Sequence, residues 1–372
     1  MNGQTKNIIA ALCRVALGLT FVFSGFVKTI DPWGTAFKIG EYLSVYGAVW
    51  VPDWLRISLA VAFCAAELAL GLLLVFRVVP RMISLAAFWV MSVFLVVTLL
   101  SATVLPVEDC GCFGDALHLS AWGSFGKNVV LWALAVVVWL STRRLGWLAF
   151  PKRHWIFAAV FAGLSGGLGL WCYTHLPLVD FLPYKEGVNL REAVLGLRDE
   201  ARDDRMIYRD LTDGSTREFA VSDTTWWDSS RWEFVEMAPS SGDAPDGDVS
   251  LREFAVFNAA GDATREILEH PGRVYMLCAV RLEQVGERCG ERFAEVVERA
   301  AAERDARVIL ITSSPISDGE TATFGAAESD DAAPVEVYNV DATTMMTMLR
   351  ARTGMVVLED GMIIDKKSCR DI

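Results

Sequence analysis

Long apolar stretches separated by short polar connections run from Ile8 to Tyr173, and none follows Asp180. A bilayer core of about 30 Å takes roughly 20 mostly apolar residues as a helix. Five stretches meet that length: Ile8–Val27, Ile57–Val79, Met82–Val104, Lys127–Leu140 with its flank from Trp122, and Trp155–Tyr173. The connection from Arg77 to Arg81 allows only a tight turn between antiparallel helices. The longer one, Asp31 to Arg56, has room for an interfacial helix whose Trp33, Tyr42, Tyr46, Trp50 and Trp54 suit the headgroup layer. The first apolar run continues to Val27 without an early small-residue cleavage site, which predicts a retained span rather than a removed signal.

Past Asp180 the period changes. Short alternating runs between Arg205 and Val235, broken at Asp213-Gly214, predict a small β-rich segment; Trp226, Trp227 and Trp232 belong to its core on the simpler reading. Gly242 to Asp248 reads as a linker. Beyond it, Arg273–Val280, Ala306–Thr312 and Val335–Tyr338 are predicted strands, and Glu287–Glu303 and Ala342–Arg352 helices. Met355–Leu358 and Met362–Asp365 close a hairpin over Asp360-Gly361. That order suits a thioredoxin-like fold. The fold class is therefore an α-helical transmembrane bundle of five spans followed by an α/β thioredoxin-like soluble domain. The predicted divisions are 1–175, 176–250 and 251–372.

Charge adds direction. The connections holding Arg77 and Arg81, and Arg143, Arg144, Lys152 and Arg153, carry only positive charge and are expected on the cytoplasmic side of an inner membrane. The loop with Glu108, Asp109 and Asp115, and the whole C-terminal half, are then extracytoplasmic. A net charge of −12 over 372 residues, with no clustered Lys or Arg in the soluble half, excludes nucleic acid as a partner. The lipid bilayer is the expected partner, and an exported protein client a further one.

The sharpest local chemistry is Asp109-Cys110-Gly111-Cys112-Phe113-Gly114-Asp115, at the outer mouth of the third and fourth spans. Two thiols one residue apart among glycines can form a strained, reducible disulfide, which points to redox work. A static bridge is the plainer alternative. A metal site on Cys110, Cys112 and His118 is a third, but it lacks the wider spacing and the second ligand pair usual for structural zinc. Of the eight cysteines, Cys13, Cys64 and Cys172 read as packed apolar groups and Cys278, Cys289 and Cys369 as scattered, so only Cys110 and Cys112 look paired.

Arg14 and Glu67 lie within apolar spans, where an ionisable group must face the bundle interior and find a partner; they are expected to pair with each other. The simpler reading is helix assembly, with Arg14 snorkelling; the functional one is a polar cavity for a quinone headgroup or a proton relay. Gly18, Ser24, Gly25 and Gly71 read as close-packing positions.

With Arg14, Gly18, Phe23, Ser24, Gly25, Lys28, Glu67, Gly71, the Cys-Gly-Cys-Phe-Gly element and Lys127-Asn128, residues 6 to 142 resemble the DoxX/MauE-like membrane proteins. The whole chain resembles DoxX-type proteins with an appended degenerate thioredoxin-like domain, carried by Phe181-Leu182-Pro183-Tyr184-Lys185 and Leu358-Glu359-Asp360-Gly361. The MauE branch implies disulfide formation or maintenance in an exported partner, methylamine dehydrogenase; DoxX relatives imply respiratory quinol oxidation. The appended domain departs from a thioredoxin in having no Cys-x-x-Cys after the strand ending near Val280, and it carries Thr353-Gly354 where Thr-Pro is usual. Partner binding rather than dithiol exchange is expected of it. The expected function is a redox-associated membrane protein using Cys110 and Cys112. The alternatives are a non-enzymatic envelope scaffold or a quinol-linked accessory subunit.

Overall fold

The computed structural model describes residues 3–45, 47–48, 50–104, 114–116, 119–145, 151–196, 205–212, 215–220, 231–237, 251, 253–317, 320–324 and 334–372. The chain divides into two compact units, Met1–Phe181 and Leu182–Ile372.

The first unit consists of α1 (Gly3–Ile30), α2 (Pro32–Val45), α3 (Asp53–Val75), α4 (Pro80–Thr103), α5 (Ala121–Thr142) and α6 (Lys152–Thr174), with a 3₁₀ turn at Gly114–Ala116. Five of these helices, all but α2, are long and apolar enough to cross a membrane, and each matches a predicted span. The α3–α4 turn needs the left-handed region at Arg77 (φ 54°) and Val79 (φ 41°), after which Pro80 opens α4. A β-branched residue in that region is uncommon; Val79 is held there by burial beside Leu73 and Val78. The expected interfacial helix is α2, but Trp33 departs from the headgroup role. It is buried, with its ring stacked 5.5 Å from that of Tyr173 on α6, while Trp50 and Trp54 stay exposed.

Close approach of α1 and α3 rests on glycine. A Cβ at Gly25 would stand 2.6 Å from Leu68 Cα, and one at Gly71 would stand 2.5 Å from Val22 N, so each glycine receives the other helix's backbone. Without a hydrophobic drive between helices in lipid, such contact is a main source of association. Gly25→Ala and Gly71→Ala are each expected to cost about 1–3 kcal/mol through overpacking. Gly163→Ala, where the space is open, should leave the melting temperature in detergent unchanged. Equal melting of all three variants would show that the α1–α3 seam is plastic.

The second unit begins with residues 182–196, whose Tyr184, Leu190 and Val194 are fully buried. Strands β1 (Arg205–Asp210), β2 (Thr216–Ala220) and β3 (Trp232–Met237) form an antiparallel sheet in the order β2-β1-β3. Trp232 lies in its core against Phe219 and under the Arg231 guanidinium. Asp213, Gly214, Trp226, Trp227 and the 242–248 linker lie outside the described residues.

The larger sheet is built from β4 (Phe257–Asn258), β5 (Gly261–Asp262), β6 (Arg273–Ala279), β7 (Arg307–Thr312), β8 (Thr321–Ala322), β9 (Val335–Asn339), β10 (Thr353–Glu359) and β11 (Met362–Ser368). Its order is β11-β10-β6-β7-β9-β4-β5, with β8 on β9; β6, β7 and β9 run parallel, and β10 is antiparallel to both β6 and β11. Helices α7 (Thr264–Leu268), α8 (Glu287–Ala301) and α9 (Ala342–Leu349) complete the unit. Cys289, Phe293, Val296 and Ala300 recur at helical spacing on the buried side of α8, against Leu277, Leu310 and Val357 of the sheet. The near-continuous apolar runs of β6 and β7 follow from burial on both faces.

Candidate functional site

The polar centre of the membrane unit is assembled by α1 and α3. Ser24 and Lys28 are one turn apart on α1 and so share a face, which meets Glu67 on α3. Ser24 Oγ donates to Glu67 Oε1 at 2.6 Å, and Lys28 Nζ donates to Oε2 at 2.9 Å. Both charged side chains are about 95 % removed from the surface. The Lys28 ammonium also lies 5.7 Å from the centre of the Phe63 ring and 5.6 Å from that of Phe94. It exchanges its water shell for a carboxylate and two aromatic faces, which makes its burial tolerable.

Beside the pair a narrow cleft opens between α1, α3, α4 and α5, with Lys127 and Asn128 on its far wall. Asn128 Nδ2 donates to Thr98 Oγ1 at 3.3 Å, and Thr98 in turn donates to the Phe94 carbonyl. The cleft has room for a water molecule and not for an aromatic ring. Among the described residues the charged groups of its lining are Lys28, Lys127 and Glu67.

Glu67 therefore pairs with Lys28 and not, as expected, with Arg14. The Arg14 guanidinium donates to the carbonyls of Leu74 and Val75 at the C-terminal end of α3. Those carbonyls lie about 11 Å along the helix from Glu67, at 1.5 Å per residue. Arg14 satisfies helix-end acceptors instead, the favourable place for a cation. Lys28 escaped the sequence reading as a partner because a lysine at the end of a span ordinarily snorkels to water. The signal that could have found it is its one-turn offset from Ser24.

Cys110 and Cys112, with Asp109, Phe113 and His118, lie outside the described residues. The run closes on Gly114, which adopts φ 55° and sits against Val27, the residue before Lys28; an added Cβ there would stand 3.2 Å from Val27 Cγ1. In the second unit, Cys289 on the first turn of α8 and Cys369 after β11 form a disulfide across 80 residues. This corrects the reading of those two as scattered thiols. Cys278 is fully buried in β6, and burial pushes its thiol pKa up to about 12, so it is inert near neutral pH.

The family model described as methylamine utilisation protein MauE matches residues 6–141. Over that span, and not beyond it, the chain is similar to MauE. No curated protein and no solved structure matches it. The MauE-like match ends at α5, so it takes in the Ser24–Glu67–Lys28 cluster, the cleft and the Cys-Gly-Cys loop, and leaves α6 and the C-terminal unit outside.

Proposed function

We propose that this MauE-like protein takes part in disulfide chemistry outside the cytoplasm, with Cys110 and Cys112 as its exchanging pair. The observation that carries the reading is Gly114, the end of the Cys-Gly-Cys-Phe-Gly run, resting on Val27 beside the buried Lys28–Glu67 pair. In this oxidising half-reaction an exported client's dithiol becomes a disulfide, while the Cys110–Cys112 disulfide becomes a dithiol. Two electrons and two protons pass from client to protein, through a mixed disulfide. A lysine within reach of either cysteine would favour its thiolate, against the flanking Asp109 and Asp115 carboxylates, which favour the thiol.

Two features support the orientation this needs. The basic helix ends agree with a cytoplasmic side there. The Cys289–Cys369 bridge suits an oxidising compartment for the C-terminal unit. That unit serves as a docking module: its described cysteines are either bridged or, at Cys278, buried. Its order of β11-β10-β6-β7 with α8 after β6 supports a thioredoxin-like ancestry. A quinone ring would need more room than the cleft offers among the described residues.

Thiol trapping of the purified protein across a graded glutathione series, followed by mass spectrometry, tests the proposal. A reversible Cys110–Cys112 transition at roughly −120 to −200 mV is expected, as for oxidising catalysts. Cys110→Ser and Cys112→Ser should abolish it with insertion and abundance unchanged. A pair locked below about −300 mV would mean a structural bridge and turn the reading to a scaffold that holds a partner.

A further inference from the structure

The helix ends opposite the Lys28–Glu67 pair carry a cationic rim. Residues 3–14, 76–81, 141–145 and 151–154 contain eight Lys or Arg and no Asp or Glu. Three contacts tie the α3–α4 turn to the end of α5 and to α6. The Val79 N–H donates to His154 Nδ1 at 3.5 Å, joining the α3–α4 turn to the start of α6. The Arg81 guanidinium donates to the Leu145 carbonyl, joining the start of α4 to the end of α5. The Phe76 ring lies 5.3 Å from that of Phe161, closing α3 on α6.

Within this surface Arg77, Arg143, Arg144, Lys152 and Arg153 are exposed, and among the described residues none makes an ion pair or a side-chain hydrogen bond. Charges of one sign at neighbouring helix ends repel one another, so an anion that bridges them is favoured twice, by attraction and by relief of repulsion. Directly along the spans from this rim, Phe76 and Phe157 are more than half exposed. With Phe161 they form an aromatic strip running down from the cations, since the Phe157 and Phe161 rings stack at 6.4 Å. Cations above an apolar strip match a molecule with an anionic head and hydrocarbon tails. A free anion would use the first feature and leave the second unexplained.

We propose that this rim binds an anionic phospholipid, its phosphate held between the α3–α4 turn and the α5 and α6 ends and its acyl chains laid along Phe76, Phe157 and Phe161. Basic pockets between transmembrane helices recognise such headgroups, and each surface Lys or Arg adds attraction toward an anionic leaflet. The binding is electrostatic at the head and should weaken with salt.

The test is native mass spectrometry of the full-length protein in neutral detergent, titrated with phosphatidylglycerol or phosphatidylcholine of the same acyl chains. Phosphatidylglycerol should be retained at least tenfold more than phosphatidylcholine, with the preference falling on raising the salt concentration. Arg143→Gln/Arg144→Gln and Lys152→Gln/Arg153→Gln are separate probes of the rim. Each should reduce the preference several-fold in molecules whose melting in detergent matches the wild type. Equal retention of the two lipids overturns the proposal, as does a preference that survives both double variants. Displacement by inorganic phosphate with no preference between lipids also overturns it and assigns the rim to free anions.

Discussion

Glu67→Ala is expected to cost the folded membrane unit about 3–5 kcal/mol, the usual penalty for removing one partner of a buried ion pair. The cause is not the lost attraction alone. The Lys28 ammonium stays 4 % exposed and keeps its two aromatic rings but loses the carboxylate that it and Ser24 both donate to. The double variant Lys28→Met/Glu67→Leu removes both charges and keeps the volume, so it should recover most of that loss. The measurement is thermal melting of the purified protein in detergent, completed as a double-mutant cycle. Melting of Glu67→Ala at the wild-type temperature would mean that water or a rotamer change reaches Lys28, and the cluster could no longer be treated as dry. If the double variant is stable yet its Cys110–Cys112 pair no longer cycles, the pair serves the chemistry rather than the packing.

Cys369→Ser should be as costly for the C-terminal unit. A bridge across 80 residues removes loop-closure entropy from the unfolded chain, worth about 4.5 kcal/mol in the chain-entropy relation. It also ties the chain end to α8, where Arg292 donates to the Cys369 carbonyl. Urea unfolding of the full-length protein, followed by the tryptophan signal of the soluble unit, should show a lowered midpoint for the variant. Wild-type protein in excess reductant should unfold like the variant without it. A midpoint that neither change moves would show that the core around Phe293 and Leu310 closes the unit unaided.

Both expectations rest on partners far apart in sequence, and this separates what was legible from what was not. The spans were legible because hydrocarbon makes a local demand: a helix must satisfy its own backbone and present apolar side chains for its whole length. The strand and helix order after Arg273 was legible for a similar reason, since β6 and β7 are buried on both faces and α8 on one stripe. The resemblance carried by Cys110-Gly111-Cys112 and the glycines of α1 and α3 was local as well, and the MauE match agrees with it.

Partner choice was not local. Arg14 and Lys28 both lie on α1 opposite α3, and composition could not say which of the two Glu67 meets. That depends on the axial offset of α1 against α3, set where Gly25 meets Leu68 and Gly71 meets Val22. Likewise, no spacing rule joins Cys289 to Cys369, because the bridge forms only once β10 and β11 return the chain end to the first turn of α8. The burial of Trp33 has the same origin, for its partner Tyr173 lies on the last helix of the unit. Sequence alone decided which segments enter the membrane and which strands and helices follow, because solvent acts on each residue where it stands. The tertiary structure decided which charges neutralise each other, which thiols join and which aromatic is hidden, because those energies depend on distances between segments that only packing sets.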